Sequence, residues 1–390
     1  MRIALYYTHY ESLGHTSRTR NLANVLKPGN EILVIQAGKA QKIPDFHAEI
    51  INVPWSIAGK EVFKGGRARI SIERIKKRIK FITDKLKDFS PDVFITEFFP
   101  FGRRIFSIEI SSIIRHLRQI NPSIKIYASV GYPVIENERI LKFSEYYDKI
   151  LIHCPENLDL AYIRKALNLI GRDDILDFYN SVFSKLASKI TFTNYLTAKP
   201  KIRRDDSLRN AFGIGKNQKI ILASRGGGVI YPKIISSAIK ASEILGDNFF
   251  FIVVYGISST AKEEKIFRKM AKGRKNMKLI KFSSDFSRLL NACDLSVSMA
   301  GYNTSAETML LGKKSIIIPK FDNISKAGIE QYYRALLLKD KADSSIIEYS
   351  NIDAGRLAEE IRKKISEKHI IKMKKEWFNS QKIIRKEIFS

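Results

Sequence analysis

The sequence predicts an α/β protein of two domains, each a doubly wound, Rossmann-like parallel sheet, that face each other across a cleft and end in a helical tail. Three observations support this prediction. The chain has 390 residues, more than one domain usually holds. Short runs of β-branched and aromatic residues recur between helical patterns without alternating polar positions, as in parallel strands covered on both faces. The alternation breaks once, near residue 200, and then restarts.

The first half contains six candidate strands, and we assign residues 1–198 to an N-terminal domain. The second and third strands are separated by a helical segment with isoleucine, leucine and phenylalanine at three- and four-residue spacing and a strongly basic outer face. The predicted strands span residues 2–8, 31–37, 92–97, 124–130, 148–153 and 189–193.

The second half repeats the pattern after a break. Between residues 199 and 217, Pro200, charged residues and glycines replace the periodic pattern, so we predict a linker there. We assign residues 218–355 to a C-terminal domain and residues 356–390 to a basic helical tail. The predicted strands of this domain span residues 219–224, 248–256, 277–282, 294–299 and 314–320.

The composition restricts the partners and the compartment. Lys and Arg number 68 against 40 acidic residues, a net charge of +28, which indicates an anionic partner: a nucleic acid, a membrane surface or a phosphorylated substrate. Two distant cysteines without metal-ligand spacing fit a reducing compartment. No apolar run approaches the roughly 20 residues of a spanning helix, and the N-terminus is typical of a strand rather than a signal peptide. We expect a cytoplasmic protein that is at most peripheral to a membrane.

The loop after the first strand holds a candidate general base. Doubly wound sheets bind ligands at the carboxyl ends of their strands, so these loops are where chemistry is expected. Gly14 permits a tight turn, and His15 stands at a helix start, where the dipole lowers the pKa of an imidazole and keeps it able to accept a proton. His15 is either this base or a capping histidine without chemistry. Arg18 and Arg20 either contact an anionic substrate or are solvated helix charges.

The stretch "TEFFPFGRR" gives the next candidates. Glu97 ends the third predicted strand, and Arg103 and Arg104 follow a Pro–Phe–Gly turn. Paired arginines in an aromatic loop suit an acceptor with a phosphate and an apolar part, although a packed turn with solvated arginines explains them nearly as well. Tyr132 and Glu136, after the following strand, lie on the same rim.

The second domain opens with a strand and the glycine run Gly226, Gly227 and Gly228. Three consecutive glycines before a helix start allow backbone N–H groups to approach a diphosphate, with Ser224 and Arg225 beside the anion. The run is neither a Walker A sequence nor G-x-G-x-x-G, and a plain tight turn is the alternative.

A second loop, "SMAGYNTSAE", precedes a helix that we expect to begin near Asn303 and Thr304. Glu307, one turn in, is placed to accept hydrogen bonds from a ribose diol, although the helix dipole alone also favours an acid there. The polar pair Glu330 and Gln331 faces the same cleft. The nucleotide contacts that we predict beside Glu307 are Gly301, Tyr302, Asn303 and Thr304.

Together, "RGGG", "DFSRLLNACDLSVSMAGYNTSAETMLLGKKSIIIPK" and "EQYYRA" resemble the C-terminal domain of family 28 glycosyltransferases, which have the GT-B fold of the MurG-type peptidoglycan N-acetylglucosaminyltransferases. The most specific part is residues 285–335. The first half is similar in order, with a Gly–His loop after the first strand. The resemblance implies inverting transfer of a hexose or N-acetylhexosamine from a nucleotide diphosphate sugar, UDP foremost, to a hydroxyl or lipid-linked acceptor.

The resemblance also implies roles for single residues. In the family the glycine loop holds the diphosphate, the acid matching Glu307 binds the ribose, and the pair matching Glu330 and Gln331 contacts the sugar. The sequence departs from the family at Arg334, where an Asn is usual, and in its reduced Leu-Gly-His first loop. The N-terminal domain would bind the acceptor, with contacts at Gly14, Arg18, Arg103 and Arg104.

The expected mechanism needs a base and a stabilised leaving group. We expect His15 as the base, with Glu97 as the second candidate, and the backbone of residues 226–228 with the next helix start as the diphosphate site. No Asp-x-Asp sequence is present, so we expect no metal and no cofactor apart from the nucleotide sugar.

Two other functions stay open at this point. A non-hydrolysing sugar-nucleotide epimerase shares the two-domain fold. A nucleic-acid-binding protein would suit the charge, but the charge is spread along helix faces and no nucleic-acid motif is recognised, so we do not expect one. The basic helix at residues 67–87 and the tail suggest attraction to anionic lipid at the inner membrane face, which suits a polyprenyl-phosphate acceptor. A generally basic proteome would explain the charge without a partner.

Overall fold

Two parallel β-sheets flanked by helices form the framework of the chain, which confirms the predicted fold class. In the computed structural model, every one of the described strand pairings is parallel. The structure describes residues 1–9, 14–38, 46, 48–55, 71–133, 138–198, 207–226, 232–319, 328–370 and 374–390.

The first sheet has seven strands in the order β3-β2-β1-β4-β5-β6-β7. Its strands are β1 (Arg2–His9), β2 (Glu31–Gly38), β3 (Glu49–Asn52), β4 (Val93–Glu97), β5 (Lys125–Val130), β6 (Lys149–Ile152) and β7 (Ile190–Phe192). The helices between them are α1 (Gly14–Leu26), α2 (Ile72–Phe89), α3 (Ser107–Ile120), α4 (Arg139–Ser144), α5 (Glu156–Leu169) and α6 (Asp173–Leu186).

The second sheet has six strands in the order β10-β9-β8-β11-β12-β13. Its strands are β8 (Lys219–Ser224), β9 (Phe249–Val254), β10 (Met277–Ile280), β11 (Leu295–Ser298), β12 (Ser315–Ile317) and β13 (Ser344–Ile346). The remaining helices are α7 (Ser207–Phe212), α8 (Pro232–Leu245), α9 (Ala261–Ala271), α10 (Phe286–Ala292), α11 (Tyr302–Leu310), α12 (Ile329–Lys341), α13 (Ala354–Ser366) and α14 (Ser380–Phe389).

The strand order reverses once in each sheet, and this places the candidate residues. In the first sheet the reversal lies between β1 and β4, where Tyr6 is opposite Thr96. In the second it lies between β8 and β11, where Ser224 is opposite Ser298. A crevice opens at the carboxyl ends of the strands at such a reversal, because the connecting helices leave to opposite faces. The loops that hold the predicted site residues all follow these four strands or their neighbours.

Two strands and one helix were missed by the sequence reading. β3 is a short, partly exposed edge strand, and β13 has three residues, so neither forms a long apolar run. Residues 207–212 of the predicted linker form α7, whose Leu208 is buried in the same apolar cluster as Ile220. Residues 199–206 of that linker lie outside the described residues.

The predicted basic tail is an integral part of both domains. α13 packs against α8 of the second domain. The chain then returns to the first domain, where Ile384 and Ile388 of α14 are buried with Leu22 and Leu26 of α1. Within the described ranges, no helix is long and apolar enough to cross a membrane.

The two domains share an interface between α5 and α12. Asp159 of α5 accepts hydrogen bonds from the hydroxyls of Tyr195 (2.6 Å) and Tyr333 (3.2 Å), the latter from α12. Lys165 contacts Asp340 at 2.6 Å at the rim. Apolar side chains of both domains belong to one continuous buried cluster around these contacts, so the domains are packed together.

Candidate active site

The ends of β1 and β4 bring two predicted catalytic residues into contact. His15 lies in the first turn of α1, and its Nδ1 is 2.6 Å from Oε2 of Glu97, the last residue of β4. The imidazole also makes an edge contact with Phe98, with ring centroids 5.3 Å apart. Since β1 and β4 are neighbours, this contact follows from the sheet order. The two alternative bases of the sequence reading therefore form one pair.

The protonation of this pair follows from its surroundings. Burial and the nearby Arg103 lower the pKa of His15 to about 4, so its imidazole is neutral near pH 7. Burial raises the pKa of Glu97, but Arg18 and His15 outweigh this and bring it to about 2. An ionised Glu97 only accepts hydrogen bonds, so the His15 proton lies on Nδ1 and the lone pair on Nε2. The lowered pKa of His15 was expected from the helix dipole, whereas burial and Arg103 are the main causes here.

Arg18 pairs with Glu97 and is almost completely buried. Its Nε donates to Glu97 Oε1 at 2.9 Å, and its Nη2 contacts the same oxygen. The interpretation of Arg18 as a solvated charge is therefore wrong, because the guanidinium is buried in an ion pair. This pairing engages Nε and Nη2, two of the three nitrogens that the predicted acceptor contact would use. Arg20 faces the second domain and opposes the raised pKa of Glu307 there.

The other residues predicted to bind the acceptor lie at different places in the structure. Arg103 lies close enough to His15 to lower its pKa, so it lines the same crevice. Gly14 begins α1, and its carbonyl accepts a hydrogen bond from Asn303 of the second domain at 3.2 Å. The side chain of Arg104 and all of Glu136 lie outside the described part of the structure.

Glu307 lies on α11, across the cleft from α1. Ser287 at the start of α10 donates to its Oε2 at 2.8 Å. Burial raises the pKa of Glu307 to about 7, although Ser287 and Arg20 oppose the increase. The carboxyl group of Glu307 is thus near the midpoint of its titration at neutral pH. Its helix, α11, begins at Tyr302, one residue before the predicted start.

Tyr302 and Asn303 contact the first domain, which their prediction as nucleotide ligands did not include. The Tyr302 hydroxyl donates to the carbonyl of His153 at 2.6 Å and accepts from the backbone N–H of Leu196 at 2.9 Å. Tyr302 is therefore a buried interdomain contact whose hydroxyl is engaged on both sides, and its place beside the nucleotide stays a prediction. Gly301 and Thr304 are partly exposed beside it, and a Cβ at Gly301 would meet open space.

Arg225 does not stand free beside an anion. It is fully buried, and its Nε donates to the carbonyl of Tyr255 at 2.7 Å. Its Nη1 lies 2.8 Å from Glu263, and its Nη2 donates to Ser259 at 2.7 Å. Every nitrogen of the guanidinium is thus engaged by the loop before α9 or by the first turn of α9, and binding of the diphosphate by Arg225 stays a prediction.

The glycine run is described only at its start. Ser224 ends β8, and its Oγ accepts a hydrogen bond from the N–H of Gly226 at 3.1 Å. Gly226 has a φ of 72°, a left-handed conformation that favours glycine. Gly227 and Gly228 lie outside the described residues, so their diphosphate role stays a prediction.

The predicted sugar-binding pair begins α12. Glu330 lies 3.4 Å from Arg334, and Gln331 is partly exposed beside it. Arg334, the departure from the family pattern, is buried: its Nε donates to the carbonyl of Ala300 at 2.7 Å, and its guanidinium stacks 5.0 Å from the ring of Tyr132. Arg334 thus fixes the loop before α11 and connects it to the first domain.

Sequence reasoning missed three residues of this site: Ser287, which holds Glu307, and His153 and Leu196, which hold Tyr302. No motif identifies them, because two of them act through backbone atoms. Among the described residues, no group of three His, Cys, Asp or Glu side chains is arranged to hold a metal ion.

Residues 226–387 match the glycosyltransferase family 28 C-terminal domain. The chain is also similar to the UDP-N-acetylglucosamine--N-acetylmuramyl-(pentapeptide) pyrophosphoryl-undecaprenol N-acetylglucosamine transferase of Rickettsia canadensis. The two are 28% identical over 274 residues, and this aligned region covers 68% of this chain and 73% of that protein. The second half of the chain is thus similar to the C-terminal domain of the family 28 glycosyltransferases, and the similarity to a transferase extends over 274 residues. A transferase of the same name from Caldicellulosiruptor saccharolyticus is 24% identical to this chain over 257 residues, or 65% of this chain and 66% of the relative.

Solved structures show that the chain has the GT-B fold. Acinetobacter baumannii MurG superimposes with a TM-score of 0.54 at 13% identity, covering 97% of this chain and 94% of the other. The UDP-GlcNAc 2-epimerase of Neisseria meningitidis superimposes with a TM-score of 0.61 at 14% identity, covering 100% of both chains. Transferases and epimerases share this fold, so the fold alone does not separate them.

Proposed function

We propose that this glycosyltransferase is an inverting enzyme that moves a hexose or N-acetylhexosamine from a nucleotide diphosphate sugar, with UDP as the nucleotide, to a lipid-linked hydroxyl acceptor. One observation carries the proposal: the His15–Glu97 pair lies at the strand reversal of the first sheet, opposite the α11 helix with Glu307. The pair supplies a base on one side of the cleft, and Glu307 supplies a ribose-binding carboxylate on the other.

The mechanism uses the free lone pair of His15. Nε2 accepts the proton of the acceptor hydroxyl while the hydroxyl oxygen attacks the anomeric carbon and the bond to the diphosphate breaks. Attack opposite the leaving group inverts the anomeric configuration. Glu97 stabilises the imidazolium as it forms, as the acid of a catalytic triad does. Negative charge that develops on the diphosphate is stabilised by backbone N–H groups of the glycine loop and the α8 start.

The sugar and acceptor follow from the relatives as part of the proposal. The curated relatives are named as transferases of N-acetylglucosamine to a pyrophosphoryl-undecaprenol acceptor. We propose a donor of the same class and a polyprenyl-linked acceptor. Arg334 replaces the Asn usual in the family, so a plain hexose is the second donor to test.

We expect replacement of His15 by alanine to lower turnover by about 10²–10⁴-fold, because general-base assistance is worth about that much. Binding of UDP should be retained, since His15 lies in the other domain. Turnover is measured as UDP release from UDP-N-acetylglucosamine with a polyprenyl diphosphate-linked acceptor, and binding by thermal shift. His116→Ala on α3 is the matched control. Undiminished turnover in His15→Ala would exclude His15 as the base.

Epimerisation is the second candidate, because the epimerase fold superimposes on the whole chain. An epimerase consumes its sugar nucleotide without an acceptor, whereas a transferase needs one. Incubating the protein with UDP-N-acetylglucosamine alone and resolving the epimers separates the two functions. Conversion without acceptor would replace the transferase proposal with an epimerase.

We also propose that the enzyme acts peripherally at an anionic membrane surface. The outer face of α2 exposes five lysines, which would lie near lipid phosphates. They are Lys76, Lys77, Lys80, Lys85 and Lys87. Binding to vesicles of anionic lipid should be strong at low salt and weaken as the ionic strength rises. Equal sedimentation with neutral and anionic vesicles would contradict the proposal.

A further inference from the structure

Arg18 contacts both members of the His15–Glu97 pair. Its Nε is 2.9 Å from Glu97 Oε1, and its Nη2 is 3.2 Å from His15 Nδ1. With Oε1 engaged by the guanidinium, Oε2 faces His15 at 2.6 Å. The carboxylate of Glu97 is therefore oriented by Arg18 on one side and presents its other oxygen to the imidazole.

The site is shaped to hold this guanidinium. Gly131 follows β5, and a Cβ atom at this position would collide with the Arg18 guanidinium. A buried carboxylate without a cation partner takes up a proton, because burial penalises its charged form. The close fit of Arg18 thus keeps Glu97 ionised in a site where it would otherwise be neutral.

The other side of Arg18 touches the second domain. Its guanidinium carbon lies 5.3 Å from the ring centroid of Tyr302, the first residue of α11. The Tyr302 hydroxyl is held by the carbonyl of His153 and the N–H of Leu196, so the ring is fixed in place. Glu307 lies on the same helix, one turn and a half further on. A continuous series of contacts therefore connects the ribose candidate to the base.

We propose that Arg18 is a positioning residue that holds Glu97 ionised and aligned for His15, and that its stacking on Tyr302 makes assembly of the base depend on docking of α11. This inference rests on the proposed function and deepens it. It gives Arg18 a role in the base rather than in acceptor binding, and it couples the donor domain to the base in the other domain. The charged and titratable groups that face the pair besides Arg18 are Tyr7, Arg103, Tyr132, His153 and Tyr302.

The test measures the protonation of His15 directly. An NMR titration follows the imidazole signals of the whole chain, and the spectrum of His15→Ala assigns the signal of His15 among the six histidines. In the unaltered protein His15 should stay neutral, with its proton on Nδ1, well below pH 6. In Arg18→Met the pair should take up its proton at a higher pH than in the unaltered protein, because a cation beside it is lost. The midpoint of the His15 titration should rise by at least about one pH unit.

Turnover provides the second readout. In Arg18→Met the acid limb of the kcat/KM profile should move to higher pH with the NMR midpoint. Turnover at pH 7, where His15 is still neutral, should fall about tenfold or more because Glu97 is no longer aligned for His15. Arg18→Lys keeps the positive charge but lacks the planar guanidinium. The acid limb of its kcat/KM profile should stay at the pH of the unaltered protein, and its turnover should lie between those of the unaltered protein and Arg18→Met. Arg172→Met removes a partly exposed arginine directly before α6 and should change neither quantity.

The contact with Tyr302 is tested by a pair of variants. Tyr302→Phe keeps the ring, so the midpoint of His15 should not move. Tyr302→Leu removes the ring and should move the midpoint in the same direction as Arg18→Met, by a smaller amount. In the double variant the two shifts should not add, because residues in contact are coupled.

The outcomes separate this inference from the proposed function. An unmoved midpoint in folded Arg18→Met overturns the inference even if transfer is observed. A raised midpoint without any transfer by the unaltered protein supports the inference and refutes the glycosyltransferase proposal. If Arg18→Met does not fold, Arg18→Lys and Tyr302→Leu decide: an unchanged turnover in Arg18→Lys together with an unmoved midpoint in Tyr302→Leu overturns the inference.

Discussion

At the scale of single residues, buried arginines organise the site. Arg18 lies four residues after Gly14 and Arg225 directly before Gly226, which made contact with an anionic substrate a reasonable expectation for these two, while Arg334 lies within α12. Each is buried instead and donates to carbonyls or carboxylates of the protein. A guanidinium has five donors in a fixed plane, so it can join several loop atoms at once. These arginines fix the positions of the loops that hold the candidate ligands.

Glu307 gives a prediction at the same scale. A ribose diol donates hydrogen bonds to a carboxylate, so the ionised form of Glu307 should bind a nucleoside better than the protonated form. Burial raises the pKa of Glu307 to about 7, and the affinity for uridine should therefore increase as the pH rises through 7. Calorimetry between pH 5.5 and 8.5 measures it, and uridine avoids the titration of a phosphate.

Glu307→Gln is the control for this experiment, since the amide cannot ionise. Its affinity for uridine should be weaker at high pH and nearly independent of pH. If the pH dependence of the unaltered protein persists in Glu307→Gln, another group causes it.

At the scale of elements, the same helices have two roles. α11 carries Glu307 toward the cleft, and its first residues contact the first domain through Tyr302 and Asn303. α12 begins with the predicted sugar-binding pair and continues into the interface with α5. α14 packs against the first domain although it is the last helix in the chain. Since each helix joins a ligand-binding end to a packed face, its position sets the geometry of the site.

The packing of α14 gives the second prediction of this Discussion. Ile388 is fully buried with residues of β1 and α1, so Ile388→Ala leaves a cavity. Such a change typically costs about 2–5 kcal/mol, which should lower the midpoint of thermal or urea denaturation. Lys382→Ala, on the exposed face of the same helix, should have little effect. Equal stability of the two variants would show that α14 does not pack on the first domain in solution.

At the scale of the whole molecule, a buried acid lies between the domains. Burial raises the pKa of Asp159 from 3.8 to about 6, although the hydroxyls of Tyr195 and Tyr333 oppose the increase. Between these values the folded state binds one more proton than the unfolded state. The contribution of Asp159 to stability therefore falls as the pH rises from about 4 to about 6, and is constant above that.

Asp159→Asn removes this titration and keeps one oxygen as an acceptor. The free energy of unfolding of Asp159→Asn relative to the unaltered protein should increase between pH 4 and 6, by up to about 3 kcal/mol at about 1.4 kcal/mol per unit of pKa. Urea denaturation at several pH values measures the difference. Asp340→Asn at the rim of the same interface is the control, because its pKa is lowered and its difference should stay flat above pH 4.5. A pH-independent difference for Asp159→Asn would contradict the prediction.

Much of the fold was predictable because strands and helices follow from sequence patterns a few residues long. Unalternated apolar runs gave all strands except β3 and β13, which are short and half-buried. The break near residue 200 predicted a linker between the two sheets, although α7, which lies within the predicted linker, was missed. His15, Glu97 and Glu307 were identified because strand ends and helix starts are where α/β sheets place ligands.

What the sequence determined by itself is the order of strands and helices and the loops that hold chemistry, because hydrophobic periodicity and glycine-rich turns act over a few residues. Only the tertiary structure shows which polar groups pair with one another. Glu97 pairs with His15 and Arg18, Arg225 binds the loop before α9, and Tyr302 contacts the first domain. These partners are up to 149 residues apart in the chain. Their pairing depends on burial and on the distances that the packed sheets and helices impose, and no local pattern encodes those.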